Sequence, residues 1–104
     1  MSRLLRIQYE GACYHVISRG NRREVVFSEN SDCELFLEKF VEFSEFYDVV
    51  IYSYCLMPNH FHLYIRTRHP NLSKFMQSFQ TSFTILMNRK CGKSAHLFQG
   101  GYNA

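Results

Sequence analysis

No acidic residue follows Asp48. All nine Asp and Glu side chains lie at or before it, alongside six Arg and Lys, whereas residues 49–104 carry six Arg and Lys and no carboxylate. The net charge of +3 conceals this division. A half-chain without acids suits a polyanionic partner, although basic faces are also common where there is none. Also missing is any apolar run of the roughly 18 residues that a membrane span needs, so no membrane partner is expected. The opening Met1-Ser2-Arg3-Leu4-Leu5-Arg6 lacks the apolar stretch of a secretory signal, which points to a cytoplasmic protein. No CxxC pair links Cys13, Cys33, Cys55 or Cys91, which excludes zinc-finger and dithiol redox motifs. Buried, reduced thiols are expected instead. There is no tryptophan, no repeat, no low-complexity tract and no long linker.

What is present is enough for one core. The chain has 104 residues, 46% hydrophobic and 16% aromatic, which fits a single globular domain over 1–104. Tyr14 to Ser18 is alternating or β-branched and reads as a strand. A basic turn, Arg19-Gly20-Asn21-Arg22-Arg23, follows it, and Val25-Val26-Phe27 reads as a short extended piece. Asn30 or Ser31 is positioned to cap a helix reaching about Tyr47, with Asp32 and Glu34 in its first turn. Its apolar stripe is Leu35, Phe36, Phe40, Phe43 and Tyr47, and Glu34, Glu38, Glu42 and Glu45 form its outer face. Val49 to Met57 and His60 to Thr67 read as a hairpin across Pro58-Asn59. Asn71 then caps a helix to about Lys90, with a Phe/Met core stripe and Gly92 as its stop. His96-Leu97-Phe98-Gln99 reads as a last short strand. The fold class expected is α+β, a ferredoxin-like split βαβ with two helices packed on one face of an antiparallel sheet.

The chemistry concentrates at His60 and His62. Two residues apart on a strand, both imidazoles project to the same face, while Phe61 and Leu63 point into the core. Such a pair can hold a divalent ion, but two ligands rarely complete a site. Taken alone, the pair is better read as two surface histidines without a ligand.

Several segments resemble the single-tyrosine HUH transposases, especially the REP-associated tyrosine transposase branch. They are Gly11-Ala12-Cys13-Tyr14-His15-Val16, Ser18-Arg19-Gly20-Asn21-Arg22-Arg23, Tyr54-Cys55-Leu56-Met57-Pro58-Asn59-His60-Phe61-His62-Leu63, Asn88-Arg89-Lys90 and His96-Leu97-Phe98-Gln99-Gly100. The resemblance implies that His60 and His62 bind Mg or Mn beside a scissile phosphate in single-stranded or hairpin DNA. It also implies a tyrosine that attacks the phosphorus to give a phosphotyrosine intermediate, and a ferredoxin-like α+β fold. Within that picture Arg19, Asn21, Arg22 and Arg23 become phosphate contacts. Arg66 and Arg68 continue the histidine strand towards the same backbone. Lys74, Arg89, Lys90 and Lys93 complete the set of DNA-contact candidates, although the last three also suit a helix C-terminus. His15 reads first as a packed histidine, with an approach to the histidine pair from a neighbouring strand as the alternative. Homodimerisation stays open, since some members of the wider family pair and others work alone.

One part of the family pattern is missing. The nucleophile is expected in a Tyr-x-x-x-Asn motif after His-Leu-Phe-Gln-Gly, with its Asn as a third metal contact, and these 104 residues contain no such motif. Gly100-Gly101-Tyr102-Asn103-Ala104 also lacks the two basic residues usual in that segment. The expectation is a C-terminally incomplete domain, from a truncated gene or a decayed copy. Tyr102 is the nearest tyrosine in order, but the family's tyrosine there is not its nucleophile. Two alternatives remain: a non-catalytic DNA-binding remnant, and a ferredoxin-like RNA-binding module stacking bases on Tyr14, Tyr52, Tyr54 and Tyr64. No RNP motif supports the second.

Overall fold

Alternation along one strand organises the molecule. In His60–Thr67, Phe61, Leu63, Ile65 and Thr67 are buried, and the residues between them face the other way. A computed structural model describes residues 8–92 together with Leu97, Phe98, Tyr102 and Ala104. Its elements are β1 (Cys13–Arg19), a 3-10 turn at Asn21–Arg23, α1 (Asn30–Tyr47), β2 (Val49–Met57), β3 (His60–Thr67) and α2 (Leu72–Cys91). The sheet order is β1-β3-β2, and both outer strands run antiparallel to β3. β1 and β2 are therefore parallel to each other with β3 inserted between them, the split βαβ arrangement of an α+β fold. The expected last strand is reduced to one bridge, Gly20 with Phe98; His96 and Gln99 lie outside the described residues.

Both helices cover the face that displays Phe61. Phe36 and Phe40 of α1 and Phe75, Phe79 and Phe83 of α2 are buried with Val16, Phe61, Leu63 and Ile65. Phe36 contacts both Phe61 and Phe79, at centroid distances of 4.8 and 4.9 Å. Among the described residues, this aromatic packing leaves the opposite face of the sheet without a helix. Glu34, Glu38, Glu42 and Glu45 are exposed on the outside of α1, as the periodicity requires.

Several local expectations change. The N-cap of α1 is Glu29, not Asn30 or Ser31, and it forms a capping box with Asp32. The Asp32 carboxylate accepts from the Ser28 and Glu29 backbone N–H groups and is ion-paired with Lys90 at the far end of α2. Asn71 does sit at the start of α2, but its side chain donates to the Tyr47 carbonyl. The Ser73 N–H is capped instead by the amide oxygen of Gln8 (2.9 Å). The cysteines are not uniformly buried: Cys13, Cys55 and Cys91 are exposed, and only Cys33 is half-buried. Val25-Val26-Phe27 forms no strand; the Val26 and Phe27 N–H groups both donate to the Pro58 carbonyl (2.7 and 3.0 Å).

Candidate metal and DNA site

The open face is assembled by strand register. Along β3 it presents His60, His62, Tyr64 and Arg66, and their β1 partners are Arg19, Ile17, His15 and Cys13. On β2 the partners are Met57, Cys55, Ser53 and Val50, the register shifting between Ile51 and Ser53. Side chains directly opposite one another share a face. Arg19 therefore lies beside His60, and Arg66 stands six residues further along the strand, on the order of 20 Å away. Both arginines are exposed.

The turn carrying His60 is fixed by the loop after β1. The Gly20 N–H donates to the Asn59 carbonyl (2.8 Å), and the two bonds from Val26 and Phe27 hold Pro58. Gly20 is required by this close approach, because a Cβ there would meet the Glu24 carbonyl oxygen at 2.4 Å and Val26 Cγ2 at 2.9 Å. The Ser-Arg-Gly-Asn and Met-Pro-Asn-His segments are thus two halves of one anchored corner. From it, Asn59 Oδ1 lies 2.8 Å from His60 Nδ1. An amide oxygen only accepts, so the hydrogen in this contact sits on Nδ1 and the lone pair on Nε2.

His60 and His62 have ring centroids 5.1 Å apart. His15 completes a row of three. Its Nε2 lies 3.0 Å from His62 Nδ1, and its ring stacks on Tyr64 with centroids 4.4 Å apart and planes 9° from parallel. Of the two sequence readings of His15, the approach from a neighbouring strand holds and the packed histidine does not: it is exposed and hydrogen-bonded to the motif. The contact is diagonal across β1 and β3, and the register fixes which motif histidine it meets. Burial, with the nearby His60, His15 and Arg19 charges, holds the His62 imidazole below its ordinary pKa. The neutral form is favoured, as a metal ligand requires. Among the described residues no three His, Cys, Asp or Glu side chains are grouped to hold a metal ion. The two motif histidines alone can offer at most two nitrogen ligands to a cation.

The other candidates fall into distinct places. Asn21 is half-buried, and Arg22 is exposed with left-handed backbone (φ 56°). The Arg23 side chain and Lys93 lie outside the described residues. Arg68 pairs with Asp48 (3.2 Å), the left-handed C-cap of α1, which also meets His69. Lys90 is engaged by Asp32 and Ser31. Lys74 and Arg89 are exposed on α2, in the layer that covers the other face of the sheet. Tyr102 is buried in the core and donates to Ser73 Oγ (3.3 Å), so it is not brought to the histidines. Of the tyrosines considered for base stacking, Tyr14 packs against the core and Tyr54 meets Phe40 edge-on. Tyr52 occupies the register shift, leaving Tyr64 in phase with the histidines.

The chain and its fold fall within a known class. The family model described as Transposase IS200 like matches residues 8–104, and the chain belongs to that family of DNA-processing enzymes. A solved structure described as the REP-associated tyrosine transposase bound to a REP hairpin superposes with a TM-score of 0.80 at 15% identity. The match covers 99% of this chain and 60% of the other, so the chain spans less than two thirds of that protein's length. No curated protein matches.

Proposed function

We propose that this chain is the metal- and DNA-binding part of a transposase that cuts and rejoins single-stranded, hairpin-forming DNA. The observation that carries the reading is the pair His60 and His62 on an open sheet face, with an arginine at each end of the row. Family membership and the hairpin bound to the structurally similar transposase support it. The pair fits a divalent ion as two nitrogen ligands, with water and phosphate oxygens filling the remaining positions. A bound Mg or Mn would supply charge stabilisation at a phosphate oxygen. Arg19 and Arg66 hold the backbone phosphates on either side. Asn59 orients His60, and the neutral state of His62 keeps it available as a ligand.

In the proposed reaction a tyrosine oxygen bonds to phosphorus and the bond to the 3′ oxygen breaks. The phenolic proton passes to that oxygen, giving a 3′-hydroxyl and a 5′-phosphotyrosine; rejoining reverses both changes. Neither Tyr102, buried in the core, nor Tyr64, held flat on His15, is assigned as nucleophile. The RNA-module alternative is disfavoured because Tyr14 and Tyr54 belong to the helix side.

Fluorescence anisotropy with a labelled hairpin oligonucleotide tests the reading. Binding should tighten with Mn, and Arg19→Ala/Arg66→Ala should weaken it while lowering the salt slope by about 1 per lost phosphate contact. Equal affinity with and without Mn, and in the double variant, would overturn it.

A further inference from the structure

The exposed imidazole of His15 has a role that packing does not explain. It is held from two sides: its ring lies flat on Tyr64, and its Nε2 meets His62 Nδ1 at 3.0 Å. Its ring plane is 25° from that of His62. The other motif histidine is held in the same manner, with His60 Nδ1 against Asn59 Oδ1 at 2.8 Å. Each imidazole of the pair is therefore engaged through Nδ1. The Asn59 contact settles the His60 tautomer, whereas the His15 contact has two possible directions. If His15 Nε2 carries the hydrogen, it donates to His62 Nδ1, and the neutral His62 ring must then carry its own hydrogen on Nε2. If His62 Nδ1 carries it, His15 accepts and His62 Nε2 is bare.

We propose that His15 is a positioning residue: it accepts the His62 Nδ1 hydrogen and so presents a bare His62 Nε2, alongside that of His60, to a divalent cation. The inference rests on the metal reading above. An acceptor behind a metal-binding imidazole fixes both its tautomer and its orientation, and loss of such a partner typically costs 10–100-fold in metal affinity. The stack on Tyr64 holds the acceptor still, because the two rings pack at van der Waals distance on neighbouring strands.

Two substitutions separate the roles of His15. His15→Phe keeps a flat ring for Tyr64 and removes the acceptor; His15→Gln restores an acceptor oxygen. Mn affinity would be measured by electron paramagnetic resonance, and the His62 tautomer by nitrogen-15 NMR of the metal-free protein. The proposal expects His62 protonated on Nδ1 in the wild type and a mixture of tautomers in His15→Phe. It expects Mn affinity to fall by roughly 10–100-fold in His15→Phe and to recover in His15→Gln. Unchanged affinity and tautomer in His15→Phe would overturn it. Equal loss in both variants would also overturn it, assigning His15 as a direct ligand or as packing. Wild-type Mn binding with His62 protonated on Nε2 would overturn this proposal alone. Failure of the wild type to bind Mn would overturn the metal reading beneath it.

Discussion

Protonation of His62 would compete with the proposed metal binding, and the surroundings oppose protonation through burial and the adjacent positive groups. Asp32 presents the reverse case. Burial pushes its carboxyl up, but the Lys90 ammonium, the Ser28 and Glu29 N–H groups and the Ser28 hydroxyl outweigh that and hold it below the usual carboxylate range. Because the folded pKa is depressed, the stabilisation is fully present above about pH 4, the unfolded value, and is lost as pH falls through the folded one. Asp32→Ala should lower stability at pH 7 by roughly 1.5–3 kcal/mol, the scale of hydrogen bonds to a charged group. It should also flatten the acid limb of the urea-midpoint profile below pH 4. A variant as stable as wild type, with the same acid limb, would show that Asp32 does not tie the two helices. The sequence marked Asp32 only as a first-turn acid. Its partner lies 58 residues away, so local pattern could not reveal the ion pair.

At the scale of elements, periodicity was a reliable guide wherever one face is buried. The alternation in His60–Thr67 and the stripes Phe36/Phe40 and Phe75/Phe79/Phe83 are core-facing as read, because burying an apolar face fixes the phase. The register shift at Tyr52 and the Gln8 cap were not legible, and the His15–His62 contact only as one of two readings, since each depends on which strand or segment lies alongside. The anchored corner makes a prediction at this scale. Gly20→Ala places a methyl group against the Glu24 carbonyl and Val26, and should cost about 1–3 kcal/mol by overpacking. Because Gly20 holds the turn bearing Asn59 and His60, Mn affinity should fall as well. An unchanged unfolding midpoint and unchanged Mn affinity would show that the loop and turn are not coupled.

At the scale of the whole molecule, one sheet divides structure from chemistry. Two helices bury one face, and the other holds the histidines between Arg19 and Arg66. The acid-free half of the sequence is split by this arrangement. Arg66 joins the open face, Arg68 and Lys90 are engaged by carboxylates from the first half, and Lys74 and Arg89 lie on the helix layer. Charge counting thus pointed towards a polyanion without identifying the contacts, while the two-residue histidine spacing placed both imidazoles on the open face, at the centre of the proposed site. The central claim is that His60 and His62 together bind a divalent cation. It is tested most directly by Mn titration of the wild type and of a His60→Ala/His62→Ala variant, with circular dichroism confirming that both are folded. The account predicts saturable Mn binding by the wild type and its loss in the variant; identical Mn affinity in the two would contradict it.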